Sequence, residues 1–223
     1  MKNMRFHLRL AQTLLSVSLL LSACATWADD TRDLDLAVSR DESHGLAALL
    51  EKGVDPNLKE PQRGETPLMI AIREKAMRSV QVLLASPKTD IEVSANNGDT
   101  ALMIASYTRN VEAVKALLAH DAEVNRHGWA PLHYAAVVGD VDIVKLLLDK
   151  SAYIDVESPN KTTPLMMAAR GGQSEVAKVL IEAGADVSLK NDQGLSAVDF
   201  ALRSEHRDTA ELIKSAEKPA AGK

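Results

Sequence analysis

Arg63-Gly64-Glu65-Thr66-Pro67-Leu68-Met69-Ile70-Ala71 decides the reading of this chain, because the chain repeats it. It returns as Gly98-Asp99-Thr100-Ala101-Leu102-Met103-Ile104-Ala105, as Gly128-Trp129-Ala130-Pro131-Leu132-His133-Tyr134-Ala135-Ala136 and as Thr162-Thr163-Pro164-Leu165-Met166-Met167-Ala168-Ala169. A weaker copy is Gly194-Leu195-Ser196-Ala197-Val198-Asp199-Phe200-Ala201. Fourteen residues after each threonine position comes an apolar stripe, such as Val80-Gln81-Val82-Leu83-Leu84 or Val144-Lys145-Leu146-Leu147-Leu148. Counting the same distance back from Leu46-Ala47-Ala48-Leu49-Leu50 puts a sixth, degenerate start at Arg32. The starts at 32, 66, 100, 130, 163 and 196 lie 34, 34, 30, 33 and 33 residues apart. Self-similarity at this period marks a row of stacked units, since no single unit can bury its own apolar face.

The residue types inside the phrase predict two helices per unit. Thr66 and Thr163 suit the N-cap of a first helix, and Pro67, Pro131 and Pro164 suit its first position, where no amide hydrogen is missed. Gly53 and Gly184 follow a second helix where a left-handed residue is wanted. Ser86, Asp121 and Ser151 take that place in the middle copies, at an expected cost of roughly 1 kcal/mol each. Composition agrees: of 223 residues 46% are hydrophobic but only 3% aromatic, too few rings for a pleated face, so the core is Ala, Leu, Val, Ile and Met on helices. The first copy carries Arg32-Asp33-Leu34-Asp35 and the last carries Asp199, Arg203, Glu205, His206, Arg207 and Asp208, polar as end units must be.

Period, phrase and stripe together resemble the ankyrin repeat family over about 185 residues. The resemblance implies an all-α solenoid of about six helix-turn-helix units with short β-hairpin fingers. Its units are a degenerate N-terminal cap at 32–65, repeats at 66–99, 100–129, 130–162 and 163–195, a C-terminal cap at 196–214 and a tail at 215–223. The histidine that helps tie neighbouring repeats in the family survives only as His133; Met69, Met103 and Met166 replace it and read as core packing. The repeat from 100 is three residues short, lost between Asn125 and Gly128, so one finger is stubby and leaves a notch.

The first two dozen residues are unlike the rest. Lys2, Arg5 and Arg9 form a basic start before Leu10 to Leu21, twelve residues without charge. At ~1.5 Å per residue these reach about 18 Å, short of the ~30 Å hydrocarbon core, so the segment reads as an export signal over 1–23 and not as a span. Leu21-Ser22-Ala23-Cys24 resembles the lipobox of bacterial lipoproteins, with Cys24 as the lipidated residue and 24–31 as a linker. Cleavage after 25 or 28 by ordinary signal peptidase is the alternative. The expected location is the bacterial periplasm, tethered to the outer membrane or soluble. With the leader gone, the 26 basic residues become 23 against 31 acidic ones, a balance of −8. Such a chain has no basic field for nucleic acid, and membrane attachment is expected only through Cys24.

No nucleophile elbow, zinc-protease motif or phosphate-binding loop occurs, so neither catalytic residues, metal nor cofactor are expected. A lone cysteine makes no internal disulfide. What remains is recognition of another protein by a monomer, with an inhibitor or protective partner of an envelope enzyme or toxin, or a methionine-based redox protectant, as the alternatives. In the ankyrin family the finger tips and the variable residues before the helix-helix joint line a concave groove. Carried onto this sequence, the resemblance assigns partner binding to Arg73, Tyr107, Thr108, Trp129, Val137, Val138 and Arg170, flanked by Glu74, Asp99, Arg126, His127, Thr162 and Arg203. Trp129, Tyr107, Val137 and Val138 form the expected apolar centre, enriched in the residue types of binding hot spots. Two readings of Trp129 stay open, a hot spot or a ring packed on its own hairpin; Tyr134 and Phe200 read as core.

Overall fold

First helices α3, α5, α9 and α11, at Pro67–Glu74, Ala101–Tyr107, Pro164–Arg170 and Ala197–Arg203, begin where a hydroxyl can close them. Thr66, Thr100, Thr163 and Ser196 accept hydrogen bonds from the N–H groups of Met69, Met103, Met166 and Asp199, satisfying one of the donors left open at a helix start. The structure, a computed structural model, describes residues 30–217; Cys24 and the leader lie outside the described residues. Within them the helices alternate in pairs. Residues 30–39 form α1 and Ser43–Glu51 form α2; Pro67–Glu74 (α3) pairs with Met77–Ala85 (α4), and Ala101–Tyr107 (α5) with Val111–Ala119 (α6). Pro131–Val138 (α7) pairs with Val141–Asp149 (α8), Pro164–Arg170 (α9) with Ser174–Glu182 (α10), and Ala197–Arg203 (α11) with Arg207–Ala216 (α12). First helices stack in the order α3, α5, α7, α9, α11, and second helices α2, α4, α6, α8, α10, α12 stack as a second layer.

A single apolar seam runs between the layers. Leu68, Leu102, Leu132 and Leu165 of the first helices meet Leu83, Leu117, Leu147 and Leu180 of the second, all nearly or wholly buried. Met69, Met103 and Met166 are likewise sealed inside, which fits sulfur used as packing volume.

The joints between paired helices share one backbone state. Asp41, Lys75, Arg109, Gly139, Gly172 and Glu205 all have φ between 50° and 75°. Glycine is needed at two of them for space as well as for φ: a Cβ at Gly139 would strike Gln173, and one at Gly172 would strike the His206 ring. After the second helices, Asp121 (φ 60°) and Ser151 (φ 62°) take the expected left-handed geometry. Ser86 does not. Its φ of −79° and ψ of 122° are extended, because Pro87 behind it excludes helical geometry, so the strain expected there is absent.

Asp41 does more than turn the chain. Ala76, at the N-cap of α4, offers no side-chain oxygen, and Asp41 of the preceding pair supplies it: Asp41 Oδ1 accepts from the Ser79 N–H at 2.8 Å and the Ser79 hydroxyl at 3.0 Å. Burial opposes ionisation of Asp41, yet these bonds and the neighbouring Arg78 guanidinium hold its carboxyl below the usual range. Asp41→Ala is expected to lower the urea midpoint by the equivalent of about 1 kcal/mol, and Asp41→Asn by clearly less, since asparagine keeps both the acceptor and the tolerance for positive φ. Equal losses in the two variants would disprove the cross-unit cap.

The fingers are turns held by side chains. Glu60 accepts from the N–H groups of Gln62, Arg63 and Glu65, and Asn57 and Asn125 each bond the next finger, through Lys88 and Asp90 and through Ser151 and Tyr153. Strand-like pairing among the described residues is limited to one antiparallel bridge, Lys190 with Ser196.

Candidate functional site

Three successive units converge on one open cleft. Tyr107 ends α5, Trp129 precedes α7, Tyr134 and Val137 project from α7, and Met167 and Arg170 come from α9; with His133 they line a cavity of about 360 Å³. Tyr107 and Trp129 stay 54% and 37% exposed in a chain with few rings to leave in water. The rings meet at steep angles: Tyr107 and Tyr134 lie 6.1 Å apart at 89°, Trp129 and Tyr134 6.4 Å apart at 63°, and Trp129 rests 5.2 Å from the His133 ring at 73°. Edge-on pairs of this kind fix one another without closing the space between them.

Polar bonds below the cleft hold the rings in place. His133 is fully buried; its Nδ1 accepts from the Ala130 N–H at 3.1 Å and its Nε2–H donates to the Thr162 carbonyl at 2.8 Å. One imidazole thus satisfies the N–H of the N-cap residue Ala130, which itself offers no side-chain acceptor to the helix, and ties its unit to the next. Burial pushes its pKa below the ordinary histidine value, outweighing backbone groups at Thr162, Ala130 and Val156 that favour the charged form. The Tyr134 hydroxyl donates to Asp99, and burial together with that bond and the Asp99 charge raises the phenol's pKa.

Of the residues assigned to partner binding, the structure brings Tyr107, Trp129, Val137 and Arg170 together in the cleft. Val138 is half-buried beside it and does not line it, and the Thr108 hydroxyl turns inward to the Ile104 carbonyl at 2.8 Å. Arg73 stands apart, forked onto the buried Glu65 carboxylate. Arg126 and His127 line a different, larger depression of about 900 Å³ between finger turns, with Tyr153 and Lys161. Trp129 packs edge-on against His133 and Tyr134 of the helix that follows it, and not on its own hairpin, and leaves more than a third of its surface to solvent. Tyr134, which the sequence reads as core, lines the cleft as well, and Met167 joins it; each follows the buried histidine or methionine position, where the phrase predicts core. Cys24 lies outside the described residues. Among them, no cluster of three or more His, Cys, Asp or Glu side chains could hold a metal ion, and no helix is long and apolar enough to cross a membrane.

A family model described as ankyrin repeats (3 copies) matches residues 34–125 and 77–159, and a second, ankyrin repeats (many copies), matches 152–201. The chain belongs to the ankyrin repeat family. Among curated ankyrin-bearing relatives, neurogenic locus notch homolog protein 1 of Mus musculus is 32% identical over 137 residues, covering 60% of this chain and 5% of that protein. Transient receptor potential cation channel subfamily A member 1 of Homo sapiens is 30% identical over 143 residues, covering 59% and 13%. The chain thus spans only a small fraction of these relatives' length. A solved structure covers far more: one chain of the complex between the Bd0816 predatory endopeptidase from Bdellovibrio bacteriovorus and immunity protein Bd3460 matches with a TM-score of 0.72 and 27% identity, over 83% of this ankyrin chain and 98% of that one. Ankyrin repeats serve as protein-protein interaction modules, and the aromatic cleft is where this array leaves apolar rings open to solvent.

Proposed function

We propose that this protein is a non-enzymatic binding module of the bacterial cell envelope that captures an envelope enzyme, a peptidase in the first instance, and restrains it. The observation that carries the reading is the likeness, over nearly the whole of the matched chain, to a structure titled as an endopeptidase with its immunity protein. The open aromatic cleft supports it, since rings held rigid in advance lose little freedom on binding. Its basic, apolar leader and the Leu21-Ser22-Ala23-Cys24 sequence support export and attachment through Cys24. More than one acyl chain makes such attachment stable.

A photo-crosslinking residue at Val138, beside the cleft, tests the proposal in intact cells. The expected product is a crosslink to an envelope hydrolase whose activity falls when the purified protein is added. Hydrolase activity unchanged at saturating protein would overturn the restraint. In the same cells Cys24→Ser is expected to move the protein from the outer-membrane fraction to the soluble periplasm; unchanged fractionation would overturn the tether.

A further inference from the structure

We infer that the cleft receives a large apolar side chain of the partner protein that is directly followed by an acidic residue, the apolar group seated among Tyr107, Trp129, Tyr134 and Met167 and the carboxylate on Arg170. This rests on the proposed capture of a partner and deepens it by naming the chemistry captured. The volume of about 360 Å³ is at the small end of ligand cavities, the scale of one anchoring side chain with its neighbour and not of a whole helix.

Arg170 decides the sign of the charge. Arg73 is held by Glu65, Arg78 by Asp41 and Arg109 by Asp140, whereas Arg170, exposed at the rim, makes no hydrogen bond or ion pair among the described residues. The acid nearest the rings, Asp99, is already engaged by the Tyr134 hydroxyl and the Asn97 amide. A lysine entering the cleft meets aromatic rings but also an uncompensated guanidinium; a carboxylate meets the guanidinium directly, with the Asp99 charge set back behind the Tyr134 hydroxyl. The chain as a whole is acidic, but charges beyond about 10 Å are screened at physiological salt, so contact preference follows Arg170.

Trp27 and Trp129 are the two tryptophans, so the full chain carrying Trp27→Phe reports on the cleft through Trp129 emission. The probes are N-acetylated, C-amidated peptides of Gly and Ser carrying one Leu followed by Glu, Gln or Lys. The Glu peptide is expected to bind about fivefold more tightly than the Gln peptide, with the Lys peptide weakest, as for an exposed ion pair. Arg170→Gln is expected to abolish the preference while circular dichroism shows the fold intact. Binding of the Lys peptide equal to the Glu peptide, a preference that survives Arg170→Gln, or no spectral response to any peptide would each overturn the inference. So would tenfold tighter binding of a Leu-Gly peptide with a free C-terminal carboxylate, which would assign the site to a chain end. Peptide failure with the hydrolase still crosslinked sinks this inference alone; the reverse result sinks the proposed partner and leaves the cleft chemistry standing.

Discussion

Trp129→Ala is expected to weaken partner binding by about thirtyfold or more, and Trp129→Ala with Tyr107→Ala to abolish measurable capture, with the helical content unchanged. The separation rests on magnitudes. Trp129 is partly exposed and its edge contacts with His133 and Tyr134 are worth about 1 kcal/mol to the fold, whereas a tryptophan at the centre of an interface costs about 2–4 kcal/mol of binding when truncated. Isothermal calorimetry with the crosslinked partner, beside a urea melt of each variant, measures both numbers. If the double variant binds within a factor of three of the parent, the cleft is not the binding centre.

The second large effect lies under the cleft. His133→Ala is expected to destabilise the array by about 3 kcal/mol, because it opens a cavity and leaves the buried Ala130 N–H and Thr162 carbonyl without partners. His133→Met should cost less than half as much. The protein already shows why: at Met166, in the equivalent place, the sulfur accepts from the Thr163 N–H at 3.5 Å and the side chain fills the same space. Only the bond to Thr162 is then lost. The two variants also separate in acid. Because the folded state depresses the His133 pKa, the unfolded chain binds the proton more readily, so this contribution to stability is complete above about pH 6.5 and declines as pH falls below it. His133→Met should lose that component of the pH dependence between about pH 6.5 and 5, read from urea midpoints; an unchanged slope would place the acid sensitivity elsewhere.

How much of this was legible in the chain follows from what kind of signal each feature leaves. Helix starts at Thr66 and Thr163 and the buried methionines were readable because capping and burial act through residue type at a fixed spacing. The helix joints were not: Asp41, Lys75, Arg109 and Glu205 hold a left-handed geometry that composition assigns to glycine, and only stacking against the neighbouring unit imposes it. Ser86 failed in the opposite direction, since its position in the period implied a strain that the following proline removes. At the candidate site, Tyr107, Trp129, Val137 and Arg170 came from the family's groove pattern, but Arg73 was drawn away by Glu65, a carboxylate eight residues earlier whose burial no local pattern reveals. Tyr134 was hidden for a related reason, its ring emerging beside a fully buried histidine in a first turn that otherwise points inward.

The placement of the cleft across α5, α7 and α9 has a further consequence for wear. In a linear array each unit leans only on its neighbours, so unravelling by heat, tension or an attacking protease proceeds from the ends inward. Among the described residues two helix pairs precede α5 and one follows α10, so units on either side can open and close while the rings keep their arrangement. Under the proposed restraint of a hydrolytic enzyme these outer units act as sacrificial margins, and the cleft is among the last parts to be lost.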